Sequence, residues 1–254
     1  MLSSVMQKGI DKIYTHDFKT QKFYIDTIIQ DARGVSLDIV YELQAFFVPN
    51  DKYMIEYFGT DILSKDYDSY NFEGECYWTG YLVFPIRDVK NKIVGLVGYN
   101  PFIAIENKEK GIWDRPYYRH SNKDVMNKSL FLFGGIDYYK KALKEGYIIL
   151  TDGVFDMINC TQNGLVSGAL LGSYVSIELA AMLYFIPNVY LAMDNDNAGL
   201  SVYNQLKRYV PQTKLIKQGK YKDIDDLLKS EYKDKAIETI KSNLNSSNDI
   251  LLRF

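Results

Sequence analysis

The spacing of apolar residues changes along the chain, and each change marks a different kind of element. Residues 1–75 read as helical and irregular. Val35, Leu37, Ile39, Val40 and Leu43 recur at helical spacing, with Ser36 as the predicted N-cap. From Gly80 the period shortens. Tyr-Leu-Val-Phe-Pro (81–85) and Lys-Ile-Val-Gly-Leu-Val-Gly (92–98) are β-rich runs around the charged stretch 87–92, which predicts a hairpin. After about Asp137 short apolar runs alternate with helical segments. Tyr-Ile-Ile-Leu-Thr (147–151) is continuously apolar until its last residue, as in a strand covered on both faces. A helix is predicted from Val154, a strand at 164–168, and a helix at 176–185 capped by Ser176. A strand at 188–193, a helix at 198–209 and a strand at 214–217 follow, and residues 224–243 are mainly helical. Strands alternating with helices of roughly ten residues predict a parallel α/β sheet.

The composition narrows the class. With 47% apolar residues among 254, the chain can build a real core and does not read as disordered. Cys76 and Cys160 are far apart and form no CxxC pair, which argues against a disulfide framework and against zinc bound within this chain. No apolar run approaches the roughly 18–20 residues needed to cross a bilayer, and the N-terminus lacks a signal pattern, so a cytoplasmic protein with no membrane partner is expected. The net charge is −2, unevenly spread. Residues 1–86 carry 7 Lys/Arg against 13 Asp/Glu, residues 87–144 carry 12 against 6, and residues 145–254 carry 11 against 13. A basic middle segment next to an acidic one can hold a polyanion near a carboxylate-bound cation; a lysine-rich solvated surface explains the charge equally well.

On a parallel sheet, ligands sit outside the carboxyl ends of the strands. Asp152 directly follows one predicted strand, Asp194 and Asp196 follow another, and Asp223 and Asp225 lie in the loop after the last. Hard oxygen donors with no His or Cys nearby favour Mg²⁺ or Mn²⁺ over zinc, and such an ion suits phosphoryl or nucleotidyl transfer. Each piece has a plainer explanation. Asp-Asn-Asp-Asn-Ala-Gly (194–199) could open a calcium loop, but Ala198 replaces a ligand and the twelfth position is Gln205 rather than glutamate. Asp223, Asp225 and Asp226 suit the first turn of a helix, and Asp152 before Gly153 suits a turn. The order and spacing of the three segments together favour chemistry.

Thr-Asp-Gly-Val-Phe-Asp-Met-Ile (151–158), Met-Asp-Asn-Asp-Asn-Ala-Gly (193–199) and Lys-Asp-Ile-Asp-Asp-Leu-Leu (222–228) resemble the three signatures of the Toprim domain, the last in the form typical of primases. Residues 81–89 and 93–98 resemble the strand pair that precedes this domain in bacterial and phage DnaG-type DNA primases. Pro-Tyr-Tyr-Arg-His-Ser (116–121) and Lys-Ser-Leu-Phe-Leu-Phe-Gly (128–134) resemble their basic motifs, and 33–43 with Phe-Val-Pro (47–49) their helical lead-in. The resemblance runs in order from about residue 22 to 230. It implies a basic, template-binding, mixed α+β subdomain over 1–140 and a Toprim catalytic domain with a C-terminal helix over 141–254, the latter a parallel sheet flanked by helices.

The same resemblance implies roles. Asp194, Asp196, Asp223 and Asp225 would ligate metal, Asp152 would stand where the family has an acid/base or metal-facing glutamate, and Lys128, Arg87 and Arg119 would hold template or nucleotide phosphates. A solvated surface lysine and a hairpin turn residue are the plainer readings of Lys128 and Arg87. The implied activity is that of a DNA-directed RNA polymerase in DNA replication, a nucleotidyltransferase that joins nucleoside triphosphates on single-stranded DNA with Mg²⁺. Its implied partners are a replicative helicase and a separate zinc-binding primase component. Three departures qualify this. Asp152 is one methylene shorter than glutamate, retracting its carboxylate by about 1.5 Å, a misplacement that can cost about a hundredfold in rate. The family's zinc ribbon is absent, and the chain ends soon after the Toprim signatures, as in a reduced or split bacteriophage primase. A Toprim nuclease and a catalytically impaired subunit that binds DNA or helicase are the alternatives.

Overall fold

Tyr147–Thr151 is apolar because both of its faces are covered: Ile148 and Leu150 point into one core and Ile149 into another. The computed structural model that shows this describes residues 2–32, 34–59, 76–111, 116–123, 125–244, 246 and 248–254. Arg33 of the lead-in motif and the stretch 60–75 of the helical and irregular N-terminal reading lie outside the described residues. The chain forms two units, Met1–Asn127 and Lys128–Phe254. The turn and strand that open the second unit precede residue 141, where the domain was expected to start, and its first helix, Gly135–Glu145, spans that residue.

In the first unit, helices α1 (Leu2–His16), α2 (Phe18–Ala32), α3 (Leu37–Glu42) and α4 (Tyr53–Phe58) accompany an antiparallel sheet. Its strands are β1 (Phe46–Phe47), β2 (Leu82–Arg87), β3 (Ile93–Tyr99) and β4 (Tyr118–His120), in that order across the sheet. The predicted hairpin is β2–β3, with an irregularity between Ile86 and Arg87. Ser36 is the residue before α3 but makes no side-chain capping bond. Helix α5 (Pro101–Lys110) begins where Asn100 Oδ1 accepts the Ile103 N–H at 3.1 Å. Met6, Ile10, Ile13, Phe46, Met54 and Val83 form the core of this unit.

The second unit opens with a 3-10 turn at Lys128–Leu130, then β5 (Leu132–Phe133) and α6 (Gly135–Glu145). There follow β6 (Tyr147–Thr151), α7 (Val154–Gln162), β7 (Ser167–Leu170), α8 (Ile177–Tyr184), β8 (Asn188–Ala192) and α9 (Asn197–Tyr209). The chain closes with β9 (Thr213–Lys217), α10 (Ile224–Leu228), α11 (Lys233–Asn243) and β10 (Ile250–Leu251). The sheet order is β10-β9-β8-β6-β7-β5, parallel throughout except for antiparallel β5. This is the expected α/β architecture. The strand read at 164–168 begins later, at Ser167, because Gly164 takes φ +74° to leave α7. Residues 224–243 form two helices, since Ser230 turns the chain between them by donating to the Leu227 carbonyl at 2.8 Å.

Two cores sandwich this sheet. Val189 and Leu191 join Ile148 and Leu150 against Leu179 and Leu183 of α8 and Val202 and Leu206 of α9. Tyr190 and Ile216 join Ile149 against Ile224, Leu227, Ala236 and Ile240 of α10 and α11. Each such buried aliphatic side chain stabilises the fold by about 1.5–3 kcal/mol, so the strand ends that carry the acids rest on a rigid base.

Candidate functional site

Strand β6 lies between β7 and β8, so successive connections leave it in opposite directions and a crevice opens at the carboxyl edge of the sheet. Asp152 is the first residue beyond β6. Asp194 follows β8, Asp196 is the N-cap of α9, and Asp223, after β9, is the N-cap of α10. Acids from three separate stretches therefore reach one rim.

Backbone donors hold them. Asp196 Oδ1 accepts the Gly199 N–H at 2.8 Å, and Asp223 Oδ1 accepts the Asp226 N–H at 2.8 Å. Each acid spends one oxygen on its helix, satisfying a donor the first turn leaves open. The loops are also tied to each other: Asn195 donates its backbone N–H to Lys222 O at 3.3 Å and its side-chain amide to Tyr221 O at 3.1 Å. Buried Gln218 donates to Met193 O at 3.2 Å, fixing the residue before Asp194. Lys222 Nζ lies 3.5 Å from Asp194 Oδ2 and 3.6 Å from Asp223 Oδ2.

The crowding of like charge shows in the acidities. Loss of hydration raises the Asp152 pKa first, and Asp194 and Asp196 raise it further, against Lys222 and Lys128. Desolvation also raises Asp194, with Lys222 opposing and Asp223 adding. Among the acids near the rim the largest effect falls on Asp156, which the sequence places simply within a helix. Its carboxyl is pushed up to about 8 by burial, then by Asp223, Asp225 and Asp152. Asp156 sits at the third position of α7, where its Oδ2 accepts the Gly153 N–H at 3.1 Å. The sequence carries only a faint signal of this, an acid four residues after Asp152 at a helix start.

Asp225, expected among the metal ligands, is buried and has protein partners. Its Oδ1 accepts from Asn159 Nδ2 at 2.7 Å and its Oδ2 from Lys229 Nζ at 2.5 Å. Lys128 is exposed on the 3-10 turn of the same unit, its side chain lying over Gly172, and its charge reaches Asp152. Arg87 and Arg119 belong to the first unit. Arg87 donates to Asn91 O at 3.0 Å, to Gln7 Oε1 at 2.8 Å and to Gln44 Oε1, which ties the hairpin turn to α1. Arg119 donates to Tyr77 O at 2.7 Å and stacks 4.7 Å from the Tyr77 ring and 5.1 Å from that of Tyr81. It lines a cleft of about 590 Å³ with Asp51, Asn100, Phe102 and Glu106.

Among the described residues no three His, Cys, Asp or Glu side chains already form a metal cage, and both cysteines are buried and free. The donor chemistry nonetheless fits a hard divalent cation. The rim offers carboxylate oxygens, burial and then neighbouring like charge raise the pKa values of Asp152 and Asp194, and a lysine bridges Asp194 and Asp223.

The fold and the acid rim define the class: residues 149–228 match the family model described as Toprim-like. Longer stretches of the chain are similar to bacterial DNA primases, and its fold is that of the DnaG-type primase catalytic core. It is 33% identical to the DNA primase of Thermotoga maritima over 159 residues, which is 60% of this chain and 26% of the relative. It is 28% identical to that of Aquifex aeolicus over 120 residues, 46% of this chain and 22% of the relative. The chain thus spans about a quarter of the length of these relatives. The structure of a DnaG primase catalytic domain bound to single-stranded DNA superposes with a TM-score of 0.72 at 19% identity, covering 93% of this chain and 80% of that one. The zinc-binding and RNA polymerase domains of the Aquifex aeolicus primase give 0.68 at 18% identity, covering 97% and 65%. No helix among the described residues is long and apolar enough to cross a membrane.

Proposed function

We propose that this chain is the catalytic part of a DNA primase, a DNA-directed RNA polymerase that joins ribonucleotides on a single-stranded DNA template in the cytoplasm. The observation that carries the proposal is the meeting of Asp152, Asp194 and Asp223 at the carboxyl ends of β6, β8 and β9. Asp194, Asp196 and Asp223, with Asp152, are the residues that would hold Mg²⁺ or Mn²⁺. A divalent cation bound there supplies charge neutralisation for a nucleoside triphosphate and its leaving pyrophosphate.

The chain's own groups do the rest. Gly153 and Asp156 set the turn that presents Asp152, and the caps at Asp196 and Asp223 orient their carboxylates. Asp225 braces α10 against α7 through Asn159. Lys128, exposed and near Asp152, offers three donors to a phosphate oxygen. The guanidinium of Arg119, stacked on Tyr77 at the cleft, suits a template phosphate or base, whereas the bonds of Arg87 suit bracing of the hairpin. A replicative helicase and a zinc-binding primase component complete the expected assembly.

The test is primer synthesis on single-stranded template with labelled ribonucleotides and Mg²⁺. Template-dependent oligoribonucleotides are expected. A shortened template would instead identify a Toprim nuclease, and no product even with helicase and zinc component added would identify a binding subunit. Asp194→Asn should abolish synthesis with the circular dichroism spectrum unchanged.

A further inference from the structure

Lys222 stands among the acids of the rim. Its ammonium joins the carboxylate after β8 to the carboxylate after β9, at 3.5 Å from Asp194 and 3.6 Å from Asp223. The acids are poorly hydrated, with 28% and 17% of their side chains exposed, whereas Lys222 is 72% exposed. Both distances are long for a charge-assisted hydrogen bond, so the lysine is held loosely between the two acids. A side chain this open to water leaves such a position at little cost.

We infer that Lys222 is the resident counter-ion of the acid rim: it neutralises Asp194 and Asp223 in the cation-free protein and gives them up when a divalent cation is held there. Lys222 is thus a positioning residue that keeps the empty rim ordered and lowers its affinity for cation. The inference rests on the divalent-cation reading of the rim. A single ammonium brings one positive charge to a rim where Asp152 and Asp196 add further negative charge, so a doubly charged ion with short oxygen contacts of about 2.0–2.1 Å displaces it. Two cations that compete for the same carboxylates weaken each other reciprocally. The neighbouring Lys220 differs, since its Nζ lies 5.5 Å from the centre of the Tyr221 ring and 5.1 Å from that of Tyr232. It carries the same charge on the same loop and, among the described residues, has no ion pair to the rim acids, which makes it the control.

The experiment is titration of the whole chain with Mn²⁺, followed by electron paramagnetic resonance, for wild type, Lys222→Met, Lys222→Arg and Lys220→Met. Removing one exposed competitor that pairs with two carboxylates should tighten Mn²⁺ binding about three- to tenfold in Lys222→Met. Lys222→Arg should stay near wild type, and Lys220→Met should match wild type. Metal-free Lys222→Met should also melt below wild type at low salt and gain more than wild type on adding Mn²⁺. Equal or weaker Mn²⁺ binding in Lys222→Met overturns the assignment, as does equal tightening in Lys220→Met or Lys222→Arg. If wild type binds no Mn²⁺ at all, the divalent-cation reading itself fails and the role of Lys222 falls with it.

Discussion

Asp156 accepts the backbone N–H of Gly153 at 3.1 Å, and a methyl group on Gly153 would stand 2.7 Å from the same carboxylate oxygen. The glycine is what lets an acid fold back under the β6–α7 turn. The arrangement is costly, because burial and the charges of Asp223, Asp225 and Asp152 raise the Asp156 pKa from 3.8 to about 8.

That cost gives the first prediction. Between about pH 4 and pH 8 the folded protein holds a proton on Asp156 that the unfolded chain has released, so stability falls as pH rises through this window. Asparagine keeps the acceptor for Gly153 but removes the charge. In chelator, Asp156→Asn should therefore melt higher than wild type, by a margin that grows from pH 4 to pH 8. A margin that shrinks with pH would contradict the burial of this charge.

Gly199 supports the other side of the rim. A Cβ there would lie 2.4 Å from the Asp194 carbonyl oxygen and 3.1 Å from Met193 Cβ. The first contact is with backbone, so it cannot be relieved by turning a side chain. Gly199→Ala should cost about 1–3 kcal/mol in denaturant unfolding and, by shifting Asp194, weaken Mn²⁺ binding in a titration of the purified protein.

Much of this was legible in the sequence. The parallel sheet could be read because strands covered on both faces leave continuous apolar runs, and because Asp152 and Asp194 follow such runs directly while Asp223 lies in the loop after the last strand. What could not be read has physical reasons. The two-residue strand β10 is defined by its bonds to β9 and has too few side chains to show a period. Asp156 was hidden because an acid in the first turn of a helix is ordinary, and only its neighbours make it unusual. Asp225 and Lys229 are four apart on α10, a spacing that already described an internal ion pair. The Asp-x-Asp pattern pointed both acids to the metal and could not show that Asp225 also accepts from Asn159 and Lys229.

The two classes of acid should separate experimentally. Asp225→Ala leaves Asn159 and Lys229 without the carboxylate they share, and should cost about 2–3 kcal/mol in stability. Asp194→Asn removes charge from a crowded rim and should leave stability unchanged or improved in chelator, while cation binding is lost. Urea unfolding of the two variants side by side checks this: equal destabilisation would mean that Asp194 is as structural as Asp225.

A similar contrast applies to the basic residues. Arg87 spends its guanidinium on Asn91, Gln7 and Gln44, so Arg87→Ala should destabilise the protein by about 2–3 kcal/mol, the range for bonds from a charged donor. Lys128 is exposed, and Lys128→Ala should change stability by no more than about 0.5 kcal/mol. If Lys128 meets a phosphate, the same variant should weaken single-stranded DNA or nucleotide binding and reduce the salt dependence of DNA affinity by about one counter-ion. Fluorescence anisotropy with a labelled oligonucleotide across a salt series measures both effects. Since Arg87 lies in the first unit and Lys128 in the second, the paired unfolding and binding data would assign one to the scaffold and the other to the ligand. An unchanged salt slope in Lys128→Ala would return that lysine to the solvated surface.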